Sequence, residues 1–157
     1  MVYVRIVSRD AWKAQPPLRT EPLIFPVKSV IFRYTDTEKC FTELECSKML
    51  RGFQQAALAK GMADIPYNFL IGSDLSVYEG RGWNNKMHDR KLVIAYICYP
   101  SDIDENTEQM NHLAYQFIKM NDNKVNVLSS LEEQQGLKIR GEGFYGGDPI
   151  FSPPVSP

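Results

Sequence analysis

The chain has 157 residues, 43% of them hydrophobic, a size and composition that suit one domain with a packed core. Its 18 basic and 19 acidic side chains leave a formal charge of -1, so no global field draws it to nucleic acid or to an anionic bilayer. No apolar run approaches the ~20 residues a membrane helix needs, so no membrane insertion by this segment is expected. The opening MVYVRIVSRDAW lacks the charged start and apolar stretch of a signal peptide, which leaves a cytosolic chain or an excised ectodomain.

Residues 2–8 alternate and are β-branched enough for an edge strand, after which Pro16, Pro17, Pro22 and Pro26 hold an extended surface crossing. The mostly apolar run VKSVIFRY, 27–34, reads as the first central strand. TDTEKCFTELEC then breaks it with turn formers and offers two helix caps, Thr37 and Thr42; Thr42 and Glu45 have capping-box spacing. From 43 to about 60, Cys46, Met49, Leu50, Phe53 and Ala57 recur at steps of three or four, which puts them on one helical face, and Gly61 is placed to end that helix. NFLIGSDLSVYEGRGW supplies a hairpin with a tight turn at 72–75, and RKLVIAYICY a further buried strand. Between 106 and about 121, Met110, Leu113, Ala114, Phe117 and Ile118 repeat at helical spacing behind an acidic entry. A shorter helix is expected at about 127–134 and a strand at 137–140, before a Gly-, Pro- and Ser-rich end whose last residues, 149–157, read as a disordered tail. With no internal repeat, 1–157 is read as a single α/β domain, a mixed central β-sheet flanked by helices.

Of the three cysteines, Cys40 and Cys46 lie close together while Cys98 sits in the apolar LVIAYICY. One short-range disulfide and one buried thiol is the simplest reading, with a pair of metal thiolates as the alternative. His88 and His112 are the only histidines and offer no HxxxH-type spacing. Cys98 has no histidine near it in sequence and reads as an inert core thiol.

Taken in order, RxxW at 9–12, the Cys40 and Cys46 pair, MLRGFQ, DIPYNFLIGSD and VYEGRGWN form one pattern. It resembles the peptidoglycan recognition proteins, which share the fold of phage-type N-acetylmuramoyl-L-alanine amidases, and it is densest from 31 to 84. The resemblance implies that Cys40 and Cys46 close a disulfide, and with it an oxidising, extracellular setting. Catalytic members of the family hold zinc with two histidines and a cysteine, an arrangement that leaves the metal able to acidify a bound water. Here Tyr34, followed by Thr35, stands at the first histidine, Glu142 follows Gly141 at the second, and residues 144–157 contain no cysteine. Tyr67 matches a tyrosine that assists catalysis. The resemblance therefore implies a protein that is not an enzyme, with no cofactor.

Sensor members without zinc keep a groove for peptidoglycan, and its residual wall here would be Tyr34, Thr35, Tyr67, Arg81 and Trp83, the last two from the GRGW contact with diaminopimelate. Against retention stand Ala57, Met62 and Pro66 at positions where the family has a histidine, a tryptophan and a glycine. The GAHTxGYN stretch expected after GRGWN is also largely missing. The expectation is an extracellular, non-catalytic immune-receptor domain, the ectodomain of a plasma-membrane protein, that contacts a related receptor ectodomain and restrains immune-deficiency-type signalling. Candidate partner surfaces are the helix at 106–121 and the loops at 86–90. The alternative is a pattern-recognition domain that still binds a diaminopimelate-type peptidoglycan fragment.

Overall fold

The computed structural model describes residues 3–125. The elements run β1 (Ile6–Val7), β2 (Ser29–Tyr34), α1 (Glu43–Ala59), β3 (Phe69–Ile71), β4 (Val77–Glu79), β5 (Lys91–Tyr96) and α2 (Glu105–Lys119). One sheet of order β1-β4-β3-β5-β2 contains all five strands. Strands β2, β5 and β3 are parallel, β4 is antiparallel to β3, and β1 is parallel to β4. Among the described residues β2 therefore closes one side of the order and β3 is the middle strand. Among the described residues the run expected to be the first central strand is paired with β5, with a single bridge between Val27 and Val125. The expected helix at 127–134, strand at 137–140 and tail at 149–157 lie outside the described residues.

Both helices begin and end where local chemistry allows. The Thr42 side chain accepts the Glu45 N–H at 3.1 Å, while Glu45 Oε1 accepts the N–H of Phe41 at 2.8 Å. The return bond of the capping box therefore lands one residue before the cap. At the far end Gly61 has φ +87°; its N–H reaches Leu58 O at 3.0 Å and the Met62 N–H reaches Ala57 O at 3.0 Å. These two bonds satisfy the carbonyls of Leu58 and Ala57, and glycine takes the left-handed conformation there without a Cβ penalty. Helix α2 starts at Asp104, whose side chain accepts the Thr107 N–H while the Thr107 hydroxyl accepts the Asp104 N–H.

Strand alternation divides the core in two. Val30, Phe32, Phe69, Ile71, Leu92, Ile94 and Tyr96 face α2, whose Met110, Leu113, Ala114, Phe117 and Ile118 are all buried. Ile31, Leu70, Tyr78, Val93 and Ala95 face α1 and join Cys46, Leu50 and Trp12. A sheet with a helix on each face buries both surfaces, which is why β5 reads as an uninterrupted apolar run. The expected α/β class, a mixed sheet flanked by helices, is the observed one.

Candidate functional site

The GRG of the motif has a backbone explanation. After β4 the chain doubles back over 67–68: the N–H groups of Gly80 and Gly82 both donate to Asn68 O at 2.9 Å, and that of Arg81 donates to Tyr67 O at 2.8 Å. A Cβ at Gly80 would lie 2.3 Å from Tyr67 O, so no other residue fits there. Asn68 locks the same loop from beneath. Its Nδ2 donates to Gly82 O (3.0 Å) and Asn85 O (3.1 Å), and its Oδ1 accepts the Val93 N–H of β5 at 2.8 Å. Nothing in composition or spacing singles out Asn68; a buried amide flanked by a turn was the available signal.

Within this frame Arg81 turns toward main-chain carbonyls. Its Nε donates to Ile65 O and Nη1 to Lys86 O, both at 2.8 Å, and Nη2 donates to Asp64 O at 3.3 Å. Burial draws its pKa below the ordinary guanidinium value. Asp64, itself buried, pairs with Arg9 at 2.9 Å and accepts Gln54 Nε2 at 2.9 Å. Trp83 lies half-buried against the α2 side, its ring centroid 5.2 Å from Phe69, 5.9 Å from Phe117 and 6.0 Å from Phe25, with the Lys124 ammonium 5.4 Å away over the ring.

The remaining candidates fall on opposite faces of the sheet. Tyr34 packs on the α2 side, 5.9 Å from the Tyr96 ring. Tyr67 is 1% exposed within the α1-side core. Burial pushes its hydroxyl above the ordinary tyrosine range, and the charge of Arg33 opposes that shift. By alternation it is Arg33, one residue before Tyr34, that shares the face of Tyr67, with Nη2 at 3.5 Å from His88 Nε2. Strand parity carried that information in the sequence. Thr35 is buried, donates its N–H to Tyr96 O at 3.0 Å and shares a hydroxyl hydrogen bond of 2.8 Å with Thr37. Ala57 and Pro66 are buried and Met62 is half-buried.

Among the described residues no three His, Cys, Asp or Glu side chains converge, and the end of β2 carries Arg33 and Tyr34. Glu142 lies outside the described residues. Cys40 and Cys46 form a disulfide, so the metal-thiolate alternative is closed. Cys98 is buried in the α2-side core, and its thiol is pushed up to about 12, chiefly by burial. Among the described residues no helix is long and apolar enough to cross a membrane.

A cavity of about 360 Å³ opens beside Arg81, between the end of α1 and the loop after β4, with Arg19, Glu21, Lys60, Met62 and Asn85 in its wall. Asn85 is 5% exposed. Its Oδ1 accepts the Glu21 N–H at 3.1 Å, whereas its Nδ2 has no hydrogen-bond partner among the described residues.

No family model matches the chain. Peptidoglycan-recognition protein LC of Drosophila melanogaster is 45% identical over 118 residues, which is 69% of this chain and 23% of that protein. The curated relatives it matches are longer, the chain spanning between 23% and 45% of their length. The solved ectodomain of the Drosophila transmembrane receptor PGRP-LCa superposes with a TM-score of 0.69 at 28% identity, over 90% of this chain and 92% of that one. Peptidoglycan recognition protein LE, solved with tracheal cytotoxin, a monomeric diaminopimelic acid-type peptidoglycan, gives 0.69 at 30% identity over 77% and 76%. Sequence, fold and motif geometry agree, and the chain belongs to the peptidoglycan recognition protein family.

Proposed function

We propose that this chain is a non-catalytic innate-immunity receptor domain, extracellular and borne by a plasma-membrane protein, that contacts a related receptor ectodomain and restrains immune-deficiency-type signalling. Peptidoglycan recognition protein LF exemplifies that role among insect members. The observation that carries the reading is the inward use of the retained groove residues: Tyr67 is buried, Arg81 is bonded to three main-chain carbonyls, and Trp83 is stacked in an aromatic cluster. Residues committed to the interior offer few groups to a stem peptide. Tyr34 and Glu142 in place of histidines, and the absent late cysteine, support the loss of zinc and of hydrolysis. The test is calorimetric titration with a monomeric diaminopimelate-type muropeptide, beside sedimentation of the chain mixed with the ectodomain of the LC receptor. No saturable heat and a co-sedimenting complex are expected. Saturable binding at micromolar concentration or tighter, without a complex, would sink the reading.

The cavity favours a second reading. Four cationic side chains, Arg19, Lys60, Arg81 and Lys86, and the unmet Asn85 donor converge on it, and a buried donor without a partner seeks an acceptor. A carboxylate-bearing muropeptide would supply one, as the LE complex with tracheal cytotoxin illustrates for that protein. Under this alternative the Asn85→Ala variant loses the titration heat that the parent chain gives; under the first neither chain gives any.

A further inference from the structure

The segment that leads into β2 carries side chains that the core does not use. Ile24 is 57% exposed and Phe25 40%, although Leu23 and Val27 on either side of them are buried. Hydrogen bonds fasten this segment to two others. The Val27 N–H donates to Lys124 O at 2.8 Å, the Lys28 N–H donates to Arg90 O at 2.7 Å, and Arg90 Nη2 donates to Pro26 O at 3.3 Å. The end of α2 adds Met120, 60% exposed and three residues after Phe117, whose ring stacks on Trp83. Trp83 in turn meets the Phe25 ring edge-on at 6.0 Å. Ile24, Phe25, Met120 and the half-buried Trp83 therefore belong to one surface. Single exposed apolar residues are ordinary, but a group linked in this way marks an interaction site.

The charges around it are mostly of one sign. Lys28, Arg90 and Lys91 come from the approaches to β2 and β5, Lys119 and Lys124 from the end of α2 and the turn after it. Among the described residues none of the five is ion-paired. Of the two acids nearby, Asp89 is engaged by Lys86, which leaves Asp122. Cations at a helix C-terminus complement its dipole. That accounts for Lys119 and Lys124, but not for Lys28, Arg90 and Lys91 or for the apolar side chains they surround. A formal charge of -1 gives no long-range attraction to an anionic surface. At physiological ionic strength, however, screening confines electrostatic attraction to about 8 Å, so a surface in contact senses the local patch and not the whole chain.

A partner for this patch has negative charge on its outside and apolar material just beneath, and the headgroup region of an anionic bilayer has that order. Tryptophan is at home at the same boundary. We propose that this surface docks on an anionic phospholipid bilayer, its apolar side chains entering the headgroup layer and its cations meeting lipid phosphates around them. The domain lies on the membrane without spanning it. The contact goes beyond the receptor-contact reading and does not depend on it.

Vesicle binding followed by tryptophan emission tests this. Trp12 is fully buried in the α1-side core, so a change of emission on docking reports Trp83. The whole chain is centrifuged, at an ionic strength of about 0.1 M, with vesicles of phosphatidylcholine alone or in equal mixture with phosphatidylglycerol. It is expected to bind the mixed vesicles and not phosphatidylcholine alone, with a blue shift of emission and quenching by brominated lipid chains. Raising the ionic strength to about 1 M shortens the screening length from about 10 Å to about 3 Å and lowers partitioning by about tenfold or more. Two double variants, each shown to keep the parental melting temperature, separate the contributions. Lys28→Gln with Lys91→Gln lowers partitioning by about tenfold or more, and Ile24→Ser with Met120→Ser lowers it comparably. Leu44→Ser, equally exposed but at the entry of α1, leaves it unchanged. Absence of binding, or equal binding to both kinds of vesicle, overturns the proposal. So does binding that leaves the emission of Trp83 unshifted or that ignores either double variant. Displacement by excess inorganic phosphate at matched ionic strength also overturns it, since that would mark a site for one phosphate and not a bilayer contact.

Discussion

Arg81 shows how one motif residue can be read two ways. The family resemblance implies a contact with diaminopimelate, while its three donors are bonded to the carbonyls of Asp64, Ile65 and Lys86. Replacement by methionine, which keeps the stem but no donor, leaves three acceptors unmet, and denaturant unfolding is expected to show a loss of about 2–3 kcal/mol. Cys98 is a second residue-level case. Its thiol is pushed up to about 12, mainly by burial, so at pH 8 it is expected to resist alkylation in the folded chain and to react within minutes once denaturant is added. Rapid labelling of the native chain would contradict that burial. Arg33 marks the limit of motif reading: alignment by motif drew attention to Tyr34, whereas side-chain alternation puts Arg33 on the face of Tyr67.

At the scale of elements, helix boundaries were the most legible part of the chain. Thr42, Gly61 and the acidic entry of α2 act through local hydrogen bonds, and local rules suffice for them. The N-cap of α2 has a pH signature. The Thr107 N–H and then the Lys39 ammonium hold the Asp104 carboxyl below its ordinary 3.8. A folded-state pKa lowered in this way contributes stability that is complete above the unfolded value and is lost as pH falls through the folded one. Asp104→Ala is therefore expected to lower unfolding free energy by about 1 kcal/mol at pH 7, a deficit that shrinks below about pH 4 and vanishes at stronger acid. Melting curves of both chains across that range check it. The disulfide belongs to this scale as well. It spans a sequence separation of 6, and replacing both Cys40 and Cys46 by alanine is expected to cost about 2 kcal/mol in chemical denaturation. Strands were harder to bound: the expected edge strand at 2–8 is reduced to Ile6–Val7, and the strand at 27–34 begins at Ser29. A strand exists only as far as its partner reaches, and β4 offers β1 two paired positions.

For the molecule as a whole, the proposed loss of zinc predicts indifference to the metal. Saturating zinc followed by EDTA is expected to leave the melting temperature unchanged, because a ligand that finds no site in the native state shifts no equilibrium. A rise with zinc that EDTA reverses would place a metal site in this chain. The sequence by itself determined the family, the α/β class, both helices, and the Thr42 and Gly61 ends of the first, because these rest on spacing and on interactions a few residues apart. The tertiary structure alone decided which candidates share a face and that Arg81 is bonded to the main-chain carbonyls of Asp64, Ile65 and Lys86. Those outcomes depend on strand order and direction, which bring residues distant in sequence to one end of the sheet, and no local pattern encodes that order.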